Sequence, residues 1–358
     1  MTPEQQPVRA GRGARADGPR VVIAGAGLMG RWHAHSAARA GGRVVGICDT
    51  NLEAARALAA QLKTRCAENE LQTVLAQVAP DVVHVCTPLE SHAELCERAL
   101  RAAADVIVEK PLAASAQETQ RLWQLAAEQG RIICPVHQLV FQPWLGLHER
   151  TGEILSIDYS ACSAGAVHGS AGDADRVANE ILPHPLSLFE RLLASAPGRT
   201  GPPALPHADL GALQWHADRP APGELRAYAS ANGVALSIGI SMRGRPPRHE
   251  LRVTGSRGTL NADLFHGFAW REGDTTSRAY KIARPFFLGA RQVGNAAANL
   301  ARRAARVEPA YPGLRELIGK VYEARASSAE RDTATASPLS RDHTLAVARA
   351  RDAILDAS

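Results

Sequence analysis

Lys110 stands in Glu109-Lys110-Pro111, directly after the apolar run Asp105-Val106-Ile107-Val108. The chain has 358 residues but only three other lysines, Lys63, Lys281 and Lys320; its remaining basic residues are arginines. A desolvated lysine can give up its proton, whereas arginine cannot. An amine kept as lysine at the mouth of a strand therefore points to proton-transfer chemistry. In an open parallel sheet the strand ends face the ligand crevice. A second pattern lies upstream. Gly25-Ala26-Gly27-Leu28-Met29-Gly30 follows the β-branched run Arg20-Val21-Val22-Ile23-Ala24 and opens a helical stretch. Asp49 ends the next apolar run, nineteen residues past Gly30. Strand, glycine turn, helix and acid in this order form a dinucleotide fingerprint.

Each residue of that fingerprint has a physical task. Gly25 allows the tight turn, Gly27 lets the backbone approach a pyrophosphate, and Gly30 permits close helix–strand packing. Ala26, Leu28 and Met29 supply the neighbouring N–H groups at the helix N-terminus, where phosphate is held. Asp49 accepts from ribose hydroxyls and repels a 2′-phosphate, and Thr50-Asn51 brings no arginine to cradle one. NAD is favoured over NADP.

The elements that must position these residues alternate strand and helix. Val44 to Cys48 reads as a strand, and Leu52 to Leu62 as a helix capped by Asn51. Asp81 to Cys86 is a strand closed by Thr87-Pro88, and Ser91 to Ala103 is helical with Ser91 as a candidate cap. Asp105 to Val108 is a strand, Ser115 to Glu128 a helix with a capping box from Ser115 to Glu118, and Ile132-Ile133-Cys134 starts the last strand. Such alternation implies a parallel sheet covered on both faces.

Composition sets the outer limits. The length calls for two domains. The formal charge of +5 is spread along the chain, and the arginine clusters carry no interleaved aromatics, which argues against nucleic acid. No apolar run reaches the ~18–20 residues of a membrane span. The first nineteen residues lack the apolar core of a secretory signal and read as a disordered lead-in. Cys48, Cys66, Cys86, Cys96, Cys134 and Cys162 form no CxxC pair, which suggests reduced thiols in a cytoplasmic protein and no metal site.

Gly25 to Gly30, Thr87-Pro88 with Ser91-His92, and Glu109-Lys110-Pro111 together resemble the Gfo/Idh/MocA oxidoreductase family. The resemblance is close over the first ~135 residues and looser beyond. It implies an α/β architecture: an N-terminal Rossmann dinucleotide-binding domain and a C-terminal α/β domain with a large, mostly antiparallel open sheet. The expected division is a lead-in over 1–19, an NAD-binding domain over 20–137, a substrate and oligomerisation domain over 138–337, and a helix over 338–358 that packs back near the first domain. By the same resemblance Glu109 and Lys110 lie beside the nicotinamide ribose, and Thr87, Pro88 and His92 line the cofactor crevice. The Lys-Pro bond of the family is often cis. The family's His-Asn pair after the last Rossmann strand corresponds to His137-Gln138, with the nearby arginine missing. Its Asp and His, four residues apart, correspond to Glu180 and His184 in Asn179-Glu180-Ile181-Leu182-Pro183-His184-Pro185. That spacing puts both on one helical face, but the two prolines argue that the helix starts after His184.

The second half is strand-rich. Glu153 to Tyr159 alternates polar and apolar residues, and Glu224–Ala231 and Val234–Met242 flank the hairpin signal Asn232-Gly233. Leu251-Arg252-Val253-Thr254 and Thr259-Leu260 flank a glycine turn, and 196–222 reads as loop. The family's use of the open sheet for oligomerisation implies a homodimer or homotetramer. The leading functional expectation is hydride transfer between a nicotinamide and an alcohol or carbonyl of a small oxygenated molecule, such as a sugar, inositol or sugar nucleotide. Lys110 and His184, with Glu180, are the candidates for proton transfer and positioning. Two alternatives stay open: an NAD-using lyase or glycosidase working by transient oxidation, and a non-catalytic NAD-sensing protein.

Overall fold

A computed structural model describes residues 18–163, 170–194, 209–275, 277–327 and 337–358. The expected lead-in therefore lies, through residue 17, outside the described residues. The first half runs β1 (Arg20–Ala24), α1 (Leu28–Arg39), β2 (Arg43–Cys48), α2 (Leu52–Leu62), β3 (Cys66–Glu68), α3 (Leu71–Val78), β4 (Val82–Val85), α4 (His92–Arg101), β5 (Asp105–Val108), α5 (Ala116–Glu128) and β6 (Ile133–Pro135). Its six strands form one sheet in the order β3-β2-β1-β4-β5-β6, with every pairing parallel. The order reverses between β1 and β4, which opens the ligand crevice at their C-terminal ends. Both faces are covered. Val21 and Ile23 of β1 point into one apolar cluster, and Val22 and Ala24 into another. That is why these strands read as unbroken apolar runs.

The second half holds β7 (Ile154–Cys162), α6 (Ala171–Ile181), α7 (Pro183–Ala194), β8 (His216–Asp218), β9 (Glu224–Ala231), β10 (Val234–Ser241), β11 (Arg248–Gly255), β12 (Gly258–Asp263), β13 (Phe268–Gly273), α8 (Arg278–Arg306), α9 (Leu314–Ser327) and α10 (Arg341–Asp356). Its seven-stranded sheet runs β13-β12-β11-β7-β10-β9-β8. Only β7 and β10 pair in parallel; the other pairings are antiparallel. The Asn232-Gly233 hairpin forms as expected, with Val234 opposite Ala231 and both turn residues at positive φ. Of the stretch read as loop, 196–208 lies outside the described residues. Residues 216–218 form the edge strand β8, too short to show a periodic pattern.

One apolar cluster joins the two halves, running from Val21 and Ile107 through Phe189 and Leu192 to Leu236 and Val253. Two helices return to the Rossmann side. α10 packs on α5 and α7, with Arg351 donating to the Ala114 carbonyl at 2.9 Å and Asp352 accepting from the Ala116 N–H at 2.7 Å. α9 packs on α1, and Arg325 reaches Asp81 at 2.8 Å and Asp105 at 2.5 Å. α8 is oriented differently. Its polar side lies on β13, where Asn295 donates to the Ala269 carbonyl and Asn299 to the His266 carbonyl. Ile282, Phe286, Val293 and Leu300 point outward. No helix among the described residues is long and apolar enough to cross a membrane.

Candidate active site

The glycine loop shows three different steric tasks. Gly25 sits at φ +100°, and a Cβ there would come within 2.6 Å of the Cys86 carbonyl oxygen. A Cβ on Gly30 would lie 1.8 Å from the Gly25 oxygen. Both are therefore required by the protein's own backbone. Around Gly27 nothing lies within 4 Å of a Cβ position. The chain itself gives no reason for a glycine there, and a ligand approaching the backbone does. Gly27 is the N-cap of α1 without any side-chain cap, so the first N–H groups of the helix face this space. Leu28 is 65% exposed at the same rim, with Ala26 and Met29 beside it. Asp49 is tied to the loop: one carboxylate oxygen accepts from the Ala26 N–H at 2.6 Å, the other from the Asn51 N–H at 2.8 Å. Each oxygen keeps a lone pair for a further donor.

The far wall of the crevice is built from the ends of β4, β5 and β6. Ser91 does not cap α4: its hydroxyl donates to Thr87 Oγ1 at 2.8 Å or to the Pro88 carbonyl at 2.9 Å. His92 is buried and bridges two turns, with Nδ1 2.8 Å from the Pro111 carbonyl and Nε2 2.8 Å from the Thr87 carbonyl. It ties Thr87-Pro88 to the Glu109-Lys110-Pro111 turn, whose Lys110-Pro111 bond is cis. Gln138 is buried, and its Oε1 accepts no hydrogen bond. An unsatisfied buried acceptor is costly, and a carboxamide donor of a bound nicotinamide would satisfy it. Open space at Gly27, a free acceptor on Gln138 and spare lone pairs on Asp49 all fit a dinucleotide.

Glu109 anchors a buried chain of side chains. His33 Nε2 lies 3.1 Å from Glu109 Oε1, His33 Nδ1 3.0 Å from His84 Nδ1, and His84 Nε2 3.0 Å from the Tyr322 hydroxyl. With neutral rings one assignment satisfies every member. Tyr322 donates to His84, His84 to His33, and His33 to the Glu109 carboxylate. Burial alone would raise the Glu109 pKa, but the His33 hydrogen bond and the nearby Lys110 charge hold it below the usual carboxylate value. Burial, then His33, keeps His84 well below the ordinary histidine range.

Lys110 is half-buried, and its Nζ donates to the backbone carbonyl of Glu180 at 3.0 Å. The Glu180 carboxylate turns away and pairs with Arg176 at 2.9 Å. Among the described residues it makes no hydrogen bond or ion pair with His184. The helix also begins earlier than the prolines suggested. α6 ends at Ile181 and α7 starts at Pro183, because the first turn of a helix has no N–H partner for a proline to lose. His184 is consequently buried in the first turn of α7, with Nδ1 unpartnered. Three imidazoles feel the Lys110 charge: His184, His137 and His249. Burial is the main cause holding His184 and His137 well below the ordinary histidine range, and it brings His249 down to about 4. The cleft thus places an amine among neutral rings whose lone pairs can accept hydrogen bonds.

His249 was not legible as a site residue. It sits on β11, 3.2 Å from the Tyr159 hydroxyl of β7, with its ring 6.2 Å from that of His184. The antiparallel pairing of β7 with β11 and the turn of α7 bring these rings together, and no local motif marks them. Among the described residues no group of three His, Cys, Asp or Glu side chains is placed to hold a metal. All six cysteines are free thiols.

Residues 19–137 match the Gfo/Idh/MocA group, described as an oxidoreductase family with an NAD-binding Rossmann fold. Over these residues the chain is similar to this family. Among curated relatives, D-glucoside 3-dehydrogenase of Escherichia coli (strain K12) is 34% identical over 116 residues, covering 32% of this chain and 33% of the relative. UDP-N-acetylglucosamine 3-dehydrogenase of Acidithiobacillus ferrooxidans is 32% identical over 118 residues, covering 33% and 36%. These matches thus span about a third of the relatives' length. The whole fold is shared more widely. The WlbA dehydrogenase from Bordetella pertussis, solved with NADH and UDP-GlcNAcA, superposes with a TM-score of 0.69 at 18% identity, over 96% of each chain. Sequence kinship thus lies in the NAD(P)-binding half, and the second half shares architecture with the solved structures.

Proposed function

We propose that the chain is an NAD-dependent dehydrogenase or reductase acting on a CH–OH or C=O group of a sugar or sugar nucleotide. The observation that carries the reading is the Lys110 amine held at the end of β5 by the Glu180 carbonyl, among the neutral imidazoles of His184, His137 and His249. Gly25, Gly27, Gly30, Asp49, Thr87, Pro88, His92, Glu109 and Gln138 hold the dinucleotide. The nicotinamide supplies the hydride acceptor for alcohol oxidation. Lys110 orients the reacting hydroxyl and works with His184 in managing its proton. Asp49 favours NAD over NADP, since its charge opposes a 2′-phosphate. The names of the relatives point to pyranose 3-hydroxyls as the first substrates to try.

The test is reduction of NAD, and separately of NADP, followed at the NADH absorbance with UDP-N-acetylglucosamine, alkyl glucosides and inositols. Turnover with one of them supports the reading. If no reduced cofactor accumulates but mass spectrometry finds an elimination product, the lyase alternative replaces it. Tight NAD binding with neither outcome leaves the sensing role.

We further propose a homodimer or homotetramer through the open face of the second sheet. That face carries a concavity of about 770 Å³ bordered by Asp158, Arg226, Tyr228, Arg252 and Trp270. Light scattering on the eluting protein checks it, and a mass of one chain would reject it.

A further inference from the structure

Two buried titratable groups have no part in the site so far, Glu190 and His343. Glu190 lies on α7, six residues past His184, and is 2% exposed. His343 is in the first turn of α10, where its backbone N–H donates to the Ser340 hydroxyl at 3.1 Å. It is buried too. These elements are far apart in sequence, and they meet at His137. His343 Nδ1 bonds the Glu190 carboxylate, and His343 Nε2 lies 3.2 Å from His137 Nδ1. The remaining nitrogen, His137 Nε2, makes no hydrogen bond among the described residues, while the ring is near enough to Lys110 and His184 to share their fields.

We propose that Glu190 and His343 hold His137 in the tautomer whose Nε2 accepts a proton, and that positive charge entering at His137 is passed to His343. The directions follow from what each atom can do. A carboxylate oxygen only accepts, so His343 Nδ1 carries the hydrogen. A neutral His343 then offers a lone pair at Nε2, which His137 Nδ1–H fills. Neutral His137 is left with its lone pair at Nε2. A carboxylate that fixes the tautomer of a catalytic imidazole is an established device; here a second ring is inserted between the two. The orienting charge sits one residue further from the nitrogen that takes the proton.

The proton-transfer half of the proposal rests on the hydride-transfer reading; the tautomer half does not. A nicotinamide held by the glycine loop, Asp49 and Gln138 would take the hydride that the carbon loses during alcohol oxidation. Lys110 takes the hydroxyl proton as it gives one of its own hydrogens to His137 Nε2. The His137 Nδ1 hydrogen moves to His343 Nε2. The products are a carbonyl, the reduced cofactor and a His343 imidazolium against the Glu190 carboxylate. Reduction runs the same steps backward. Glu190 and His343 are positioning residues, since neither touches the reacting atoms.

Nitrogen-15 NMR of histidine-labelled protein at pH 7.5 reads the tautomer directly, with the His137 signals assigned by their loss in His137→Gln. The expected spectrum has a protonated Nδ1 and a bare Nε2 at His137. His343→Phe, confirmed folded by a cooperative melt, should move hydrogen onto Nε2. Glu190→Gln keeps an oxygen acceptor for His343, so the tautomer should persist, while kcat falls about 10²-fold and the KM for NAD is unchanged. A wild-type His137 protonated at Nε2, or one indifferent to His343→Phe, overturns the proposal. Normal turnover by Glu190→Gln overturns the charge transfer. If the wild-type protein oxidises no substrate while the tautomer result holds, the functional reading has failed and the tautomer assignment stands.

Discussion

Lys110 is held by a backbone carbonyl, not by a carboxylate, and under the proposed function its remaining hydrogens serve the substrate. Replacing it by arginine keeps the charge but changes the reach and removes any capacity to exchange a proton. Lys110→Arg is expected to bind NAD as before, by fluorescence titration, and to lose about 10²–10⁴ in kcat. Asp49 makes a complementary case. Asp49→Asn keeps an oxygen for the Ala26 N–H and loses the charge, so the proposed preference for NAD over NADP, measured as a ratio of kcat/KM values, should drop about tenfold. The placement of Lys110, Gln138 and the glycines was legible in the sequence because it is local: a strand end, a turn, a helix start. Glu180 was misplaced for the opposite reason. Spacing of four puts residues on one face only inside one helix, and a break at Leu182 separates this pair. His249, Tyr159, His343 and Glu190 come together through tertiary packing between distant elements, which no local spacing encodes.

At the scale of elements, the two glycines flanking Leu28 and Met29 should part company when altered. Gly30→Ala drives a methyl into the Gly25 carbonyl, so α1 must shift off β1. It should cost about 3 kcal/mol, measured by denaturant unfolding. Gly27→Ala meets open space and an extended backbone. Its stability should stay within about 0.5 kcal/mol of the parent, while NAD affinity by calorimetry falls at least about tenfold, because a pyrophosphate needs that surface. Equal loss of stability in both would mean the space at Gly27 is not kept for a ligand. Strand–helix alternation, the caps at Asn51 and Ser115 and the hairpin at Asn232-Gly233 were all readable, and each forms. The seven-strand order was not, since pairing β7 with both β10 and β11 depends on a crossover with no local signature.

The whole molecule carries its buried imidazoles as a pH liability. His84, His137 and His184 titrate well below the ordinary value of 6.5 when folded, and His249 at about 4. Between those folded values and 6.5 the unfolded chain binds more protons, so stability rises with pH across that window. The contribution is whole above about pH 6.5 and is lost as the pH falls. Glu109, also depressed, acts in the same direction at lower pH. Melting temperatures should be flat from pH 7.5 to 8.5 and fall steadily toward pH 5. A constant melting temperature across that acid range would contradict the buried neutral rings. One last consequence comes from the scarcity of lysine. Lys63, Lys281 and Lys320 are exposed at the periphery, and Lys110 alone is half-buried in the cleft. Amine-directed labelling of this arginine-rich chain is thus close to a single-site footprint. Intact-mass spectra should show three side-chain amines modified alike with or without NAD, and one whose modification the cofactor blocks.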